Sequence, residues 1–240
     1  MKIMESVESD LRANALLALL EPATLHAIQP QLEAVQLALR DIQYEESGPM
    51  THAWFPTDGA LSVLAAASAA QTRIEVATIG REGALCVPLL LGAQRSPGIV
   101  FTQVSGAAWR MRAADFLQAA RQHEDFSRCM HRYAYALMVQ MAQGAACNRA
   151  HSAEQRCARW LLQTHDRVRR DSFDLTQDFL AEMLGERRAT VNQAASALAQ
   201  RGLIRYSRGR IEVTDRAGLE RASCRCYGFI RDQYRQVLGG

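Results

Sequence analysis

The spacing of hydrophobic and polar residues changes twice along the chain. Residues 11–20 have apolar positions at helical spacing, and this run ends before Pro22. From 32 to 111 the apolar residues alternate with polar ones in short runs, separated by turn residues such as the Pro-Thr-Asp-Gly segment at 56–59. Helical spacing then returns, in a short run at 113–121 and a long run at 124–148. Short alternating runs joined by turns predict a small barrel or sandwich followed by helices.

A second group of predicted helices and strands begins near residue 151. Ser152 and Gln155 have the spacing of a capping box, so a new helix is predicted there. Residues 175–213 then read as a helix, a turn at Gly185, a second helix starting near Arg187 or Arg188, and two short strands. This order predicts a winged helix-turn-helix.

One face of the second of these helices is predicted to point outward. Val191 and Leu198 occupy its inward side, so the polar residues between them would face a major groove. Thr176 is the predicted N-cap of the first helix, and the arginines around the strand turn suit phosphate groups. A compact helical domain whose arginines serve only solubility is the alternative. The predicted DNA-contacting residues are Thr176, Arg187, Arg188, Thr190, Asn192, Gln193, Ser196, Arg208 and Arg210.

The long helical run carries an apolar stripe with steps of four and three residues. This spacing is typical of a helix that packs against another helix. We expect a dimer contact, because palindromic DNA sites favour two-fold proteins. The alternative is that the stripe packs only on its own barrel. The predicted interface residues are Met130, Tyr133, Leu137 and Met141.

Charge and composition support a division into two parts. The chain has 240 residues, enough for two domains, and a formal net charge of +3. From His151 onward there are 16 arginines against 11 acidic residues, whereas residues 1–150 carry 12 basic against 14 acidic groups. Nucleic-acid contact is therefore expected in the C-terminal part. The apolar runs are too short to span a bilayer and the N-terminus lacks a signal peptide's apolar region, which predicts a cytoplasmic protein without membrane contact.

Three segments, TQDFLAEMLGERRATV, FPTDGALSVL and VATIGREG, resemble the Crp/Fnr family of bacterial transcription regulators, and the resemblance extends over nearly the whole chain. It implies an α+β fold with an N-terminal β-roll, a cyclic-nucleotide-binding-like jelly roll, followed by a long dimerisation helix and a C-terminal winged helix-turn-helix. It also implies binding to double-stranded DNA as a homodimer that recruits or blocks RNA polymerase. The corresponding predicted domains are 1–121, 122–150 and 151–240.

The resemblance also bears on ligands and on base reading. Nucleotide-binding members hold ribose with a Gly-Glu pair and the cyclic phosphate with an Arg-Ser or Arg-Thr pair. Here Leu85 replaces the acid and cannot accept a ribose hydroxyl, so cyclic AMP is not expected and another small effector is left open. Arg188 matches a base-reading arginine of the family, but Ala189 and Gln193 replace other readers, so the preferred DNA sequence should differ. The candidate pocket residues are Glu82, Arg95 and Ser96, although Arg95 and Ser96 also fit a surface turn.

The positions of the cysteines and the lack of catalytic motifs argue against a bound cofactor and against enzymatic activity. The first cysteine is Cys86, so the N-terminal iron-sulfur cluster of the oxygen-sensing branch is not expected. Cys147 and His151 lie four apart, but the capping Ser152 argues against a continuous helix through both, and Cys224 and Cys226 should diverge. We therefore predict reduced thiols and no metal site. No phosphate loop, HExxH or GxSxG motif occurs, which excludes the common catalytic classes. A sensing module whose winged helix contacts protein is the alternative function.

Overall fold

The N-terminal helices are anchored to the sheet by one buried asparagine. In the computed structural model, which describes residues 10–66, 73–207 and 209–239, helices α1 (Ala15–Ala18) and α2 (Pro22–Ile28) precede a short 3-10 turn at Gln29–Gln31. Asn14 caps α1 by accepting from the backbone N–H groups of Leu16 and Leu17. Its amide also donates to the carbonyls of Pro56 and Gly83, at 2.8 and 2.9 Å. All the polar atoms of this buried side chain are thereby satisfied.

The alternating region forms an antiparallel sheet in the order β1-β5-β3-β4, with β2 paired to β5. The strands are β1 (Leu32–Leu37), β2 (Ile42–Tyr44), β3 (His52–Ala66), β4 (Arg73–Ile79) and β5 (Ile99–Arg112), and helix α3 (Val87–Leu90) lies before β5. Bulges between Pro56 and Leu61 bend the long strand β3. Gly106 permits this bend, because a side chain there would overlap the carbonyl of Asp58. The predicted β-roll is confirmed.

Three helices lead from the sheet to the second half of the chain. They are α4 (Ala113–Gln122), α5 (Glu124–Ala150) and α6 (Ala153–Val168). The capping box at Ser152 is present, with the Ser152 side chain accepting from the Gln155 backbone and the Gln155 side chain accepting from the Ser152 backbone. Two residues, His151 and Ser152, separate the end of α5 from the start of α6.

The C-terminal part contains the predicted helices and strands together with one strand the sequence did not reveal. Its elements are β6 (Ser172–Asp174), α7 (Gln177–Leu184), α8 (Arg188–Gln200), β7 (Ile204–Ser207), β8 (Arg210–Val213), α9 (Arg216–Ala222) and α10 (Cys226–Leu238). The strands pair in the order β6-β8-β7. Gly202, with a φ of 71°, follows the end of α8, and Asp215 caps α9.

The last helix returns to the N-terminal half. Ile230 and Tyr234 of α10 are buried in the same hydrophobic core as the sheet and α5, and the rings of Tyr133 and Tyr234 meet edge to face at 6.4 Å. Among the described helices, none combines the length and apolar character that crossing a bilayer requires.

Candidate nucleic-acid interface and effector pocket

Arg156 of α6, a buried arginine, binds the turn between helices α7 and α8. Thr176 caps α7, its hydroxyl accepting from the Phe179 backbone at 3.2 Å, and Gly185 ends α7 with a φ of 61°. Arg156 of α6 is almost fully buried and donates to the carbonyl of Leu184 and, at 2.7 Å, to the carboxylate of Glu186. These bonds hold the turn between the two helices at a set angle.

Helix α8 presents one apolar and one polar face, as predicted. Val191, Ala194, Ala195 and Leu198 are buried against the rest of the domain. The opposite side forms a row that we call the α8 outer face. Its predicted DNA-contacting members are the exposed Arg187, Arg188, Gln193 and Ser196 and the half-buried Thr190 and Asn192.

Arginines at the start of α8 and in the strand pair carry the positive charge of this surface. The guanidinium of Arg188 lies 3.1 Å from the Asp178 carboxylate of α7. Arg210 of β8 is exposed and donates to the Ser172 hydroxyl at 3.0 Å, whereas Arg205 pairs with Glu212 at 2.8 Å. Arg208, also predicted to meet DNA, lies outside the described residues. Arg188 and Arg210 are thus both exposed, and each has a polar partner within its own domain.

The sequence of this region matches one family model. Residues 155–222 match the Crp-like helix-turn-helix domain. The C-terminal half contains a Crp-like helix-turn-helix domain. A comparison with curated protein sequences finds no match.

The fold as a whole is that of Crp/Fnr-type regulators. FixK2 from Bradyrhizobium japonicum is 14% identical with a TM-score of 0.64, over 80% of this chain and 98% of that one. A CRP-family transcriptional regulator from Thermus thermophilus is 17% identical with a TM-score of 0.65, over 79% and 96%. The c-di-GMP responsive global regulator CLP from Xanthomonas campestris is 12% identical with a TM-score of 0.64, over 80% and 99%. The predicted arrangement of a β-roll, a long helix and a winged helix-turn-helix is thereby confirmed.

In this Crp/Fnr-type fold the β-roll and helix α5 line an open cavity with an almost wholly apolar wall. Its volume is about 360 Å³, and it lies between strands β3 and β4, helix α3 and the middle of α5. Leu137 and Met141 of α5 form part of the wall, so a ligand here would contact the long helix directly. Ser96 also lines the cavity, but its hydroxyl donates to the Gly98 carbonyl at 2.6 Å. An apolar wall cannot solvate a phosphate.

Two of the three predicted pocket residues lie elsewhere. The Arg95 side chain is exposed and donates to the Ser47 carbonyl at 2.6 Å, so the surface-turn interpretation fits Arg95 but not the buried Ser96. The Glu82 carboxylate forms an ion pair with Arg167 of α6 at 2.8 Å, between the β-roll and the Crp-like domain. Arg167 is buried and also donates to Gln140 of α5. Glu82 and Arg95 therefore do not line this cavity.

The predicted dimer seam on α5 also needs correction. Met130 and Tyr133 are fully buried in their own chain, and Leu137 is 7% exposed, so these side chains are not available to a second copy. Tyr133 packs against Gly83, where a side chain would collide with its ring. Met141 is 41% exposed at the cavity rim. The stripe is apolar because it packs on the β-roll, which was the alternative interpretation.

A different face of α5 is open to solvent. Tyr135 and Met138 are 50% and 59% exposed, a large exposure for apolar side chains on a helix. They belong to a row that recurs at steps of four and three residues and that we call the α5 outer stripe. Its members are His131, Tyr135, Met138, Ala142, Ala145 and Arg149.

A polar network and an aromatic pair join the β-roll to the Crp-like domain. The Glu75 carboxyl group of β4 lies 2.5 Å from the Ser62 hydroxyl and accepts from the Trp160 indole N–H of α6 at 2.5 Å. The pKa of the Glu75 carboxyl group is raised, mainly because burial disfavours its charged form. The rings of Phe101 and Phe179 meet edge to face at 5.7 Å, again across the two parts. The helix-turn-helix therefore has a defined docking position against the sheet.

The helix break expected at Ser152 is confirmed, but the expected separation of the cysteine and histidine side chains is wrong. Helix α5 ends at Ala150, yet the His151 backbone N–H still donates to the Cys147 carbonyl at 3.1 Å, which keeps these two residues one turn apart. Cys224 and Cys226 do not diverge, since Cys226 begins α10 and both side chains turn toward Cys147. The four groups are close neighbours in space.

Proposed function

We propose that the protein is a cytoplasmic, sequence-specific DNA-binding transcription regulator of the Crp/Fnr type. In this proposal α8 enters the major groove, where Arg188, Asn192, Gln193 and Ser196 meet base edges. Thr176, Arg187, Thr190, Arg208 and Arg210 contact phosphates, and the bound protein recruits or blocks RNA polymerase. The supporting observation is the α8 outer face, a row of exposed and half-buried polar side chains in a Crp-like helix-turn-helix domain.

The regulator acts as a homodimer in this proposal, with the α5 outer stripe as the two-fold contact. Tyr135 and Met138 supply apolar area and Ala142 and Ala145 allow two helices to approach closely. A two-fold protein places two α8 helices on the half-sites of a palindrome. The operator is accordingly expected to be palindromic.

The effector in this proposal is a small uncharged molecule held in the β-roll cavity. The apolar walls favour an apolar ligand over a cyclic nucleotide or a dinucleotide, whose phosphates need charged or donor groups. Leu137 and Met141 line the cavity and lie on the same helix as the α5 outer stripe. Ligand binding would therefore act on α5 through these two side chains.

Selection of bound sequences from random duplexes tests the proposal directly. We expect an enriched palindromic motif at moderate salt, with an affinity that falls steeply as salt rises because counterions are released from DNA. The matched control is a variant in which Arg188 and Gln193 are both changed to Ala, which leaves the buried face of α8 intact. Recovery of no motif, or equal enrichment by the control, would favour the alternative of a sensing module whose winged helix binds protein.

A further inference from the structure

Four candidate metal ligands converge where the long helix meets the C-terminal helices. Cys147 and His151 lie one turn apart at the end of α5, and Cys224 and Cys226 come from the turn between α9 and α10. Their ligating atoms all lie within 4.8 Å of one another. The Cys147 and Cys224 sulfurs are 3.4 Å apart, and the Cys226 sulfur is 3.6 Å from Nδ1 of His151. The cysteines are buried and the histidine is half-buried.

Two of these separations, 3.4 Å between the Cys147 and Cys224 sulfurs and 3.6 Å between the Cys226 sulfur and His151 Nδ1, are close to the edges of a small tetrahedron. Zinc bonds of about 2.3 Å to sulfur and about 2.0 Å to nitrogen place tetrahedral ligands about 3.5 to 3.8 Å apart. Three cysteines and one histidine are also a ligand set that zinc commonly takes in structural sites. We propose that Cys147, His151, Cys224 and Cys226 bind one zinc ion.

The surroundings of the four groups suit a bound metal–thiolate centre. The Gln143 side-chain amide donates to the Cys226 sulfur at 3.1 Å, and the Cys226 backbone N–H donates to the Cys224 sulfur. Three thiolates and a neutral imidazole around Zn²⁺ leave one negative charge. The buried Arg159 interacts electrostatically with the Cys147 and Cys224 sulfurs and offsets that charge. Donors to the sulfurs and a compensating cation are what such a site requires.

The proposed zinc site lies at the junction between the two parts of the chain. Cys147 and His151 lie at the C-terminal end of the helix that carries the α5 outer stripe, and Ser152 alone separates His151 from α6. Cys224 and Cys226 precede α10, which packs back on α5. The ion would therefore fasten the junction between the two parts of the chain. Binding also releases thiol protons, so affinity should rise with pH.

Metal analysis of untagged full-length protein, purified under reducing conditions, tests the assignment. We expect one zinc per chain, and after exchange one cobalt(II) with the visible bands of tetrahedral coordination and near-ultraviolet thiolate charge transfer. Cys226→Ser should weaken zinc binding by at least about 10-fold in a competition assay with a chromogenic chelator. Cys157→Ser is the matched control, because Cys157 is equally buried but lies outside the cluster, and it should bind zinc as the parent does.

Other outcomes overturn the proposal. Absence of stoichiometric metal together with an intact mass two hydrogens lower would show a disulfide, since Cys147 and Cys224 are the nearest sulfur pair. Loss of zinc in Cys157→Ser but not in Cys226→Ser would place the metal elsewhere. If the ligand variants fail to fold, the parent still decides, because cobalt charge-transfer intensity grows with the number of thiolates. Three thiolates are expected, and a cobalt spectrum without sulfur ligation would refute the site.

Discussion

The guanidinium of Arg188 and the carboxylate of Asp178 lie 3.1 Å apart across the turn of the helix-turn-helix. Both side chains are well exposed, at 62% and 68%, and exposed ion pairs of this kind contribute only about 0 to 1 kcal/mol. Asp178 can therefore hold Arg188 over the start of α8 in the free protein without competing strongly with DNA. Asp178 therefore orients Arg188, the proposed base-reading arginine, and leaves its guanidinium able to bind DNA.

Arg188→Ala is expected to reduce sequence discrimination. A guanidinium at this position can donate two parallel bonds to a guanine edge, so its loss should cost about 1 to 3 kcal/mol on the preferred duplex. The difference in affinity between preferred and scrambled duplexes should shrink accordingly. Fluorescence anisotropy with both duplexes measures this, after circular dichroism shows that the variant is folded.

Arg210→Ala is expected to behave differently, because Arg210 begins strand β8, outside the proposed reading helix, and is proposed to contact phosphate. It should weaken preferred and scrambled duplexes alike and reduce the slope of log affinity against log salt by about one unit. If Arg210→Ala changed sequence preference while Arg188→Ala weakened both duplexes equally, α8 would not be the reading helix.

Local signals in the sequence predicted the helix-turn-helix closely, and the reason is physical. Caps at Thr176 and Ser152 and a left-handed glycine at Gly185 act over a few residues, so their geometry follows from their own neighbours. The α5 stripe was misassigned, because spacing shows that a helix face is covered but not what covers it. Tyr133, for example, packs against Gly83, which lies fifty residues earlier in the chain.

Contacts between distant segments also explain why the effector pocket and the cysteine cluster were not predicted. Arg95 has the expected neighbour in sequence, yet its guanidinium binds the Ser47 carbonyl across a loop. Cys147 and Cys224 are 77 residues apart, and only the return of α10 onto α5 brings them together. Such pairings depend on how whole elements pack, which periodicity does not encode.

Met138→Glu is expected to convert the proposed dimer to monomers. Met138 is 59% exposed at the centre of the α5 outer stripe, so in a dimer the substitution would bury a charge without a partner. Sedimentation velocity measures the change in mass. Leu39→Glu also places a charge at an exposed apolar residue, away from α5, and should remain dimeric. A folded Met138→Glu protein that stays dimeric would move the contact to another surface.

Leu137→Glu should give a different result, although it is the next residue along the chain. Leu137 is only 7% exposed and belongs to the core of its own chain, so a carboxylate there should destabilise the fold itself. We expect a lower thermal midpoint and loss of cooperative unfolding by circular dichroism. A folded monomer of normal stability would show that Leu137 belongs to the dimer contact after all.

Cyclic AMP is expected not to bind in the β-roll. The cavity wall is apolar and Leu85 lies in it, whereas the Arg95 guanidinium is outside, so neither ribose nor phosphate finds a partner. Isothermal titration calorimetry should show no saturable heat at micromolar concentrations. Arg95→Ala is the control and should change nothing. Low-micromolar binding that Arg95→Ala abolishes would mean that the loop rearranges to bring the arginine inward.

Glu75→Gln should increase stability relative to the parent, and the gain should grow with pH. Burial raises the pKa of Glu75 above its ordinary value, so the folded protein keeps the proton after the unfolded chain has lost it. Stability from this group is therefore complete below the ordinary pKa, and it declines as the pH rises through the raised folded-state pKa. Glutamine resembles the protonated form, and its carbonyl can still accept from Trp160. Urea midpoints of both proteins between about pH 4 and pH 8 measure the difference, with Glu46→Gln as the control for loss of an exposed charge. A midpoint difference that stayed constant with pH would mean that Glu75 ionises normally between the β-roll and the Crp-like domain.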